Sequence, residues 1–373
     1  MRILIASDSF KDALPAAEVC RSIAAGLRQN QGNADIALFP LADGGEGTFE
    51  VLAFHLDLHA VEVDTFDPLL RPIRASYGLS ADGSTAVVEL ARASGLQLLA
   101  RQERNPLHTS TYGTGLLLAD AIDKGVSKII LALGGSATND AGAGMASALG
   151  WNFLDDSGHE MAVTGLALSQ IARITPPEFV IVPETEVICD VTNPLFGPEG
   201  AAFVYARQKG ADELGISILD AGLRHVARLT TEQLGKSDLA RIPGAGAAGG
   251  TGFGAMAFLN ATLRRGADLV MDIAGFDDAL AKTDLVITGE GQLDGQTLHG
   301  KLVQSICRRA TLSGVPVVAL CGRLAASPEQ LAAIGLKAAW SINEVERPLQ
   351  EMLDRTAENL TRTAAQIPLS WNL

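Results

Sequence analysis

The chain opens Met1-Arg2-Ile3-Leu4-Ile5-Ala6-Ser7-Asp8-Ser9-Phe10-Lys11-Asp12, a short apolar run that turns abruptly polar. Such a run, bounded by polar residues, reads as a buried strand. A helical pattern follows over residues 15–29, with Pro15 suited to a first helical turn. Residues 34–39 read as a second strand and residues 45–55 as a second helix. Strand, loop, helix, strand, loop, helix is how a parallel α/β sheet begins. The same alternation returns late in the chain. Residues 285–288 read as a strand, 289–300 as a loop, 301–312 as a helix and 315–320 as a strand. A helix over 328–334, a strand over 338–342 and one long amphipathic helix over 348–365 complete it.

The middle has a different character. Residues 72–77 and 85–90 flank Ala81-Asp82-Gly83, a hairpin signature, and residues 154–159 read as a second hairpin. A helix near 113–124, a strand over 128–133, a helix reaching Leu149 and a strand over 187–191 follow. The expectation is an α/β fold of two domains. Residues 1–66 and 266–373 form a discontinuous, flavodoxin- or Rossmann-like parallel-sheet domain, and residues 67–265 an inserted α+β domain.

Composition narrows the function classes. The chain has 373 residues, long for one core, with 47% hydrophobic and 19% charged residues, which is globular. Its net charge is −14, from 29 basic and 43 acidic residues, and no Lys/Arg-rich run stands out. That argues against a nucleic-acid partner. No apolar run reaches the length of a membrane span, so no membrane partner is expected. The four cysteines, Cys20, Cys189, Cys307 and Cys321, form no CxxC pair and have apolar neighbours, as free thiols in a reducing cytoplasm do. A monomer or small homo-oligomer is expected.

Three glycine-rich loops carry the candidate chemistry: residues 40–48, 134–144 and 243–252. Glycine lets backbone amides approach a ligand closely, and a loop that runs into a helix favours an anion. Each loop alone is equally a tight turn. Together, with Asp43, Glu46 and Asp140 available for a metal, they suggest a nucleotide-using enzyme. Gly244-Ala245-Gly246-Ala247-Ala248-Gly249 spells a dinucleotide fingerprint, but the polar, proline-broken stretch before it is no strand. Gly295-Gln296-Thr297-Leu298-His299-Gly300-Lys301-Leu302 resembles a P-loop, yet Leu302 stands where a Ser or Thr would hold Mg²⁺. Lys301 remains a candidate to face phosphate from a helix start.

Ser7, Asp8 and Lys11 follow the first strand, and ligands of open parallel sheets bind at that carboxyl edge. Lys11 is the cation for a carboxylate or phosphate. Asp43 and Glu290 end other strands, where carboxylates hold Mg²⁺ or take a hydroxyl proton, or simply cap helices. Asp190 and Asn193, just before Pro194, suit metal or hydroxyl contact, or a plain Asx-turn.

Ser7-Asp8-Ser9-Phe10-Lys11, residues 41–48, Gly134-Gly135-Ser136-Ala137-Thr138-Asn139-Asp140, Cys189-Asp190-Val191-Thr192-Asn193-Pro194, residues 243–250 and Thr288-Gly289-Glu290-Gly291-Gln292-Leu293-Asp294 together resemble the bacterial type-1 glycerate kinases. The motifs span nearly the whole chain in the family's order and spacing. The resemblance implies ATP- and Mg²⁺-dependent phosphorylation of D-glycerate to 2-phosphoglycerate, and two α/β domains with a cleft between them. Phosphorylation of the 3-hydroxyl, or a silent glycerate- or nucleotide-sensing protein, are the alternatives. One departure is Asp12-Ala13 where the family often has Gly-Ser, which puts a negative charge beside Lys11. On physical grounds Asp190, Lys11 and Asp43 are the catalytic candidates, and Ser7, Asp8, Lys11 and Asn193 the substrate-binding ones. The ATP candidates are Gly134, Gly135, Ser136, Thr138, Gly246, Gly249, Gly250, Gly289 and Lys301. Asp43, Glu46, Glu290 and Asp294 are the metal candidates.

Overall fold

Local patterning alone fixes strands and helices; which strands become neighbours depends on the whole chain. The computed structural model describes residues 1–30, 34–178, 182–294, 302–343, 345 and 347–368. Contacts divide it into two compact units, Met1–His55 with Gly266–Leu373, and Leu56–Arg265.

The first unit carries a five-stranded sheet, parallel throughout. Its strands are β1 (Arg2–Ile5), β2 (Asp35–Leu38), β11 (Leu285–Leu293), β12 (Val317–Leu324) and β13 (Leu336–Ser341), in the order β13-β12-β11-β1-β2. Ile3, Leu4 and Ile5 are buried, as a strand covered on both faces requires. Ile3 and Ile5, on one face of the strand, share a core with Val19, Ile23 and Leu27 of the helix Ala16–Asn30 and with Leu360 of the helix Thr356–Ala364. These two helices pack so closely that a Cβ on Gly26 would lie 2.1 Å from the Thr361 carbonyl oxygen.

Two elements depart from the sequence expectation. β11 does not stop at Thr288 but runs on to Leu293, carrying Gly289, Glu290 and Gly291 inside the strand. A Cβ on Gly289 would approach the Leu320 carbonyl to 2.6 Å, so this glycine serves strand packing. The long C-terminal helix is two helices, Leu349–Asp354 and Thr356–Ala364, broken at Arg355 (φ −98°, ψ 8°).

The second unit carries a mixed six-stranded sheet. β3 (His59–Phe66), β4 (Pro72–Leu79) and β5 (Thr85–Glu89) are antiparallel neighbours. β5, β6 (Lys128–Ala132), β9 (Glu184–Ile188) and β10 (Thr262–Arg264) are parallel, giving the order β10-β9-β6-β5-β4-β3. β3 pairs with β4 along its full length, from His59–Leu79 to Phe66–Pro72, and this draws residues 56–66 into the second unit. The turn between β4 and β5 has Gly83 at φ +70°. The expected hairpin at 154–159 is present in minimal form, as a turn closed by Asp155 N–H to the His159 carbonyl at 2.9 Å and one antiparallel bridge between Leu154 and Glu160, with no second strand of its own. Instead β7 (Asn152–Leu154) pairs with β8 (Arg173–Thr175). A 22-residue helix, Glu213–Leu234, was not legible as an element. It starts at Asp212, whose carboxylate accepts from the Gly215 amide, and buries Ile216, Leu219, Leu223 and Val226. The third glycine loop is preceded by the 3₁₀ turn Leu239–Arg241, and Ala248, Gly249 and Gly250 are all left-handed (φ 52°, 68° and 92°).

Candidate active site

In the first unit β1 and β11 lie side by side, but the chain leaves them in opposite directions: β1 leads to β2, β11 to β12 and β13. Open α/β sheets bind ligands at such a reversal, beyond the carboxyl ends of the strands. A cleft of about 1130 Å³ sits there, lined among others by Asp8, Lys11, Asp43, Glu46, Glu290 and Arg323. Backbone bonds tie its floor. The Asp8 amide donates to the Gly289 carbonyl at 3.2 Å, and the Leu41 amide to the Ser7 carbonyl at 2.9 Å. The Ser7 hydroxyl is fully buried and donates to the carbonyls of Gly289 and Asp8, both at 3.0 Å. Ser7 therefore braces the strand ends and does not line the cleft.

Asp8 Oδ1 accepts from the Ser9 amide at 2.6 Å and the Ser9 hydroxyl at 3.3 Å. Burial, then the nearby charges of Asp43 and Glu290, push the Asp8 carboxyl up to about 7 against the pull of the Ser9 amide. Asp43 Oδ1 accepts from the Gly45 amide at 2.9 Å, an Asx-turn leading to the helix Thr48–Leu56. Lys11 stands in a closed turn in which Phe10 and Leu14 exchange both backbone hydrogen bonds, each 2.8 Å. Asp12 in that turn has φ 61°. This is glycine's preferred region, and Asp is among the few other residues that enter it readily. The departure at this position thus keeps the turn and adds a charge.

Asp294 lies past β11, accepts from Gln292 Nε2 at 2.8 Å and does not line the cleft. Arg323 was missed by the sequence reading. It lies in β12 in register with Gln292, and among the described residues of the cleft it is, with Lys11, one of two cations beside six carboxylates, the others being Asp12 and Glu50. Its only sequence signal is its place near a parallel strand's carboxyl end. Among the described residues no group of three or more His, Cys, Asp or Glu could by itself hold a metal ion. Mg²⁺ needs no such cage, since it is held by one or two carboxylates plus substrate phosphates and water. Asp43 and Glu290, whose charges both act on Asp8, are hard oxygen donors that fit this mode of one or two carboxylates.

In the second unit β6 and β9 pair in register up to Ala132–Ile188. The second glycine loop and the segment with Asp190 therefore leave one sheet edge from neighbouring strands. Gly134, Gly135 and Asp190 are exposed there, with Gly135 at φ +74°. Asn193 is engaged at both ends of its amide: Nδ2 donates to the Glu199 carbonyl at 2.8 Å, and Oδ1 accepts from the Tyr205 hydroxyl at 2.6 Å. It acts as a brace. Gly246, Gly249 and Gly250 are buried. A Cβ on Gly249 would lie 2.0 Å from the Thr138 carbonyl oxygen, and one on Gly246 2.3 Å from the Pro194 carbonyl oxygen. One on Gly250 would lie 2.8 Å from Leu195 Cδ1 and 2.9 Å from Ala141 Cα. These glycines let the third loop press on its neighbours; they form no open phosphate cradle. Thr138 is buried as well, and so is Asp140. The Asp140 carboxylate accepts from the Thr111 amide and hydroxyl at 2.7 and 2.8 Å, and from the Gly142 and Gly144 amides at 3.2 Å each. Burial raises its pKa against those bonds. Lys301 lies outside the described residues. The four cysteines are free thiols, and among the described residues no helix is long and apolar enough to cross a membrane.

These features define an α/β protein with a ligand-sized acidic cleft at a sheet reversal and an exposed glycine loop on a second sheet. The model of the glycerate kinase family matches residues 3–372, and the chain belongs to that family. It is 44% identical to a glycerate kinase of Halalkalibacterium halodurans, over 99% of this chain and 98% of that one. It is 38% identical to a glycerate 2-kinase of Escherichia coli, over 98% and 97%. A crystal structure assigned to glycerate kinase 2 of Salmonella typhimurium LT2 superimposes with a TM-score of 0.88 at 41% identity, covering 98% of this chain and 96% of that chain.

Proposed function

We propose that this protein transfers the γ-phosphoryl group of ATP to the 2-hydroxyl of D-glycerate. The observation that carries the reading is full-length membership of the glycerate kinase family, joined to the name of the Escherichia coli relative, glycerate 2-kinase. The cleft of the first unit supports it: its volume of about 1130 Å³ has ample room for a small hydroxy acid. Phosphoryl transfer asks for positioning and charge neutralisation more than covalent chemistry. Lys11 and Arg323 hold the glycerate carboxylate. Asp8 accepts the hydroxyl proton, because a carboxyl with a pKa near 7 suits that task at neutral pH. Asp43 and Glu290 are the donors for Mg²⁺, which would offset phosphate charge in a cleft whose described lining has six carboxylates and two cations. The exposed Gly134 and Gly135 amides contact ATP phosphate.

The test is incubation of the purified protein with ATP, Mg²⁺ and D-glycerate, following ADP and identifying the product by ³¹P NMR. ADP and 2-phosphoglycerate are expected. No turnover by folded protein refutes the kinase reading, and a product that is wholly 3-phosphoglycerate refutes the position.

A further inference from the structure

The second glycine loop is held from within by a lysine that no sequence motif singled out. Lys209 ends the 3₁₀ turn Arg207–Lys209 and is 3% exposed. Its ammonium donates to Ser136 Oγ at 2.6 Å and to the Thr138 carbonyl at 2.8 Å, more than 70 residues away in the chain. The backbone beneath it is fixed, since Gly210 has φ +100° and a Cβ there would lie 1.9 Å from the Arg104 carbonyl oxygen. The opposite side of the loop is fixed too. The Leu96 amide donates to the Gly135 carbonyl at 2.8 Å, and the Ala137 amide to the Ser94 carbonyl at 2.9 Å. Only Gly134 and Gly135 of this segment stay exposed.

We propose that Lys209 is the positioning residue of this loop: by fixing Ser136 and Thr138 it presents the Gly134-Gly135 backbone to the phosphate chain of a nucleoside triphosphate. The proposal rests on the reading above that these two glycines meet ATP. Burying an ammonium group is costly, and an apolar side chain would serve plain packing better. Burial draws the Lys209 pKa down to about 7, while the buried Asp140 charge works the other way and favours the ammonium. What the lysine adds is direction: two charge-assisted hydrogen bonds that set a hydroxyl and a carbonyl on either side of Ala137.

The experiment compares the full-length protein with Lys209→Met and Ser136→Ala, each checked for folding by circular dichroism. Binding of a non-hydrolysable ATP analogue with Mg²⁺ is measured by calorimetry, and KM for ATP and for glycerate by kinetics. Lys209→Met is expected to weaken analogue binding and raise KM for ATP by about 10- to 100-fold, the scale of a lost charged hydrogen bond. KM for glycerate should stay within about twofold of wild type, a split that general loss of structure would not produce. Ser136→Ala, which removes one of the two bonds, should move the same quantities less. Unchanged nucleotide binding in a folded Lys209→Met, or an equal rise in both KM values, overturns the proposal. Should Lys209→Met fail to fold, unchanged nucleotide binding in Ser136→Ala overturns it. A wild-type protein that binds no analogue overturns the underlying ATP reading instead.

Discussion

Replacing Asp8 by asparagine should stabilise the protein in alkali and disable it at once. The Asp8 carboxyl titrates near 7 in the folded chain and near 3.8 in its ordinary state, chiefly through burial and then through Asp43 and Glu290. Between these values the folded state holds a proton that the unfolded state has lost. Stability therefore falls as pH rises through this window, by about 1.4 kcal/mol for each pH unit. The ceiling is about 4 kcal/mol, reached above pH 7; the cleft is open to water, so screening trims the expected effect to about 1–4 kcal/mol. Asparagine keeps the shape and carries no charge to penalise. Asp8→Asn should melt close to wild type at pH 4 and several degrees above it at pH 8, in metal-free buffer with chelator. The assay is differential scanning calorimetry of both proteins across that range. A melting difference that does not grow with pH refutes the electrostatic argument. Glycerate turnover by the same variant should drop about 10²- to 10⁴-fold, the span for a positioned proton acceptor. Near-normal turnover removes Asp8 from the chemistry.

Asp190→Asn distinguishes a second candidate: if the exposed Asp190 takes part in transfer, kcat should fall about 10²-fold or more with little change in thermal stability, and a fully active variant assigns the residue to its turn. Gly249→Ala would force a Cβ to 2.0 Å from the Thr138 oxygen at φ +68°, so left-handed strain and overpacking together should cost about 3–5 kcal/mol in urea unfolding; a loss under about 1 kcal/mol would show the two loops packed more loosely than described.

Much of the chain could be read locally. The apolar run over residues 3–6, the helix after Pro15 and the turn at Ala81-Asp82-Gly83 each announce their element within a few residues, because burial period and turn chemistry are short-range. The motifs around Asp8, Asp43, Gly134, Asp190 and Glu290 likewise marked the family. Local reading failed where glycine has two uses. Gly246, Gly249 and Gly250 look like a phosphate loop in sequence but are spaces for a neighbouring backbone, and only the neighbour reveals that. It failed too for Ser7 and Asn193, whose polar groups are spent on carbonyls and a tyrosine hydroxyl that no spacing predicts.

By itself, then, the sequence determined the α/β alternation, its interruption in the middle and the membership of the family. The tertiary structure alone decided the strand order, and through it the site. Setting β1 beside β11 joins Ser7 to Gly289, 282 positions apart, and brings Asp8 and Glu290 to one cleft where their charges couple. The same holds for Lys209, a solitary lysine in sequence and a buried clamp on Ser136 in the fold. The physical reason is that periodicity and turn residues act over a few bonds. Charge coupling, desolvation and hydrogen bonding act over a few ångströms, between groups whose separation along the chain carries no sign of their meeting.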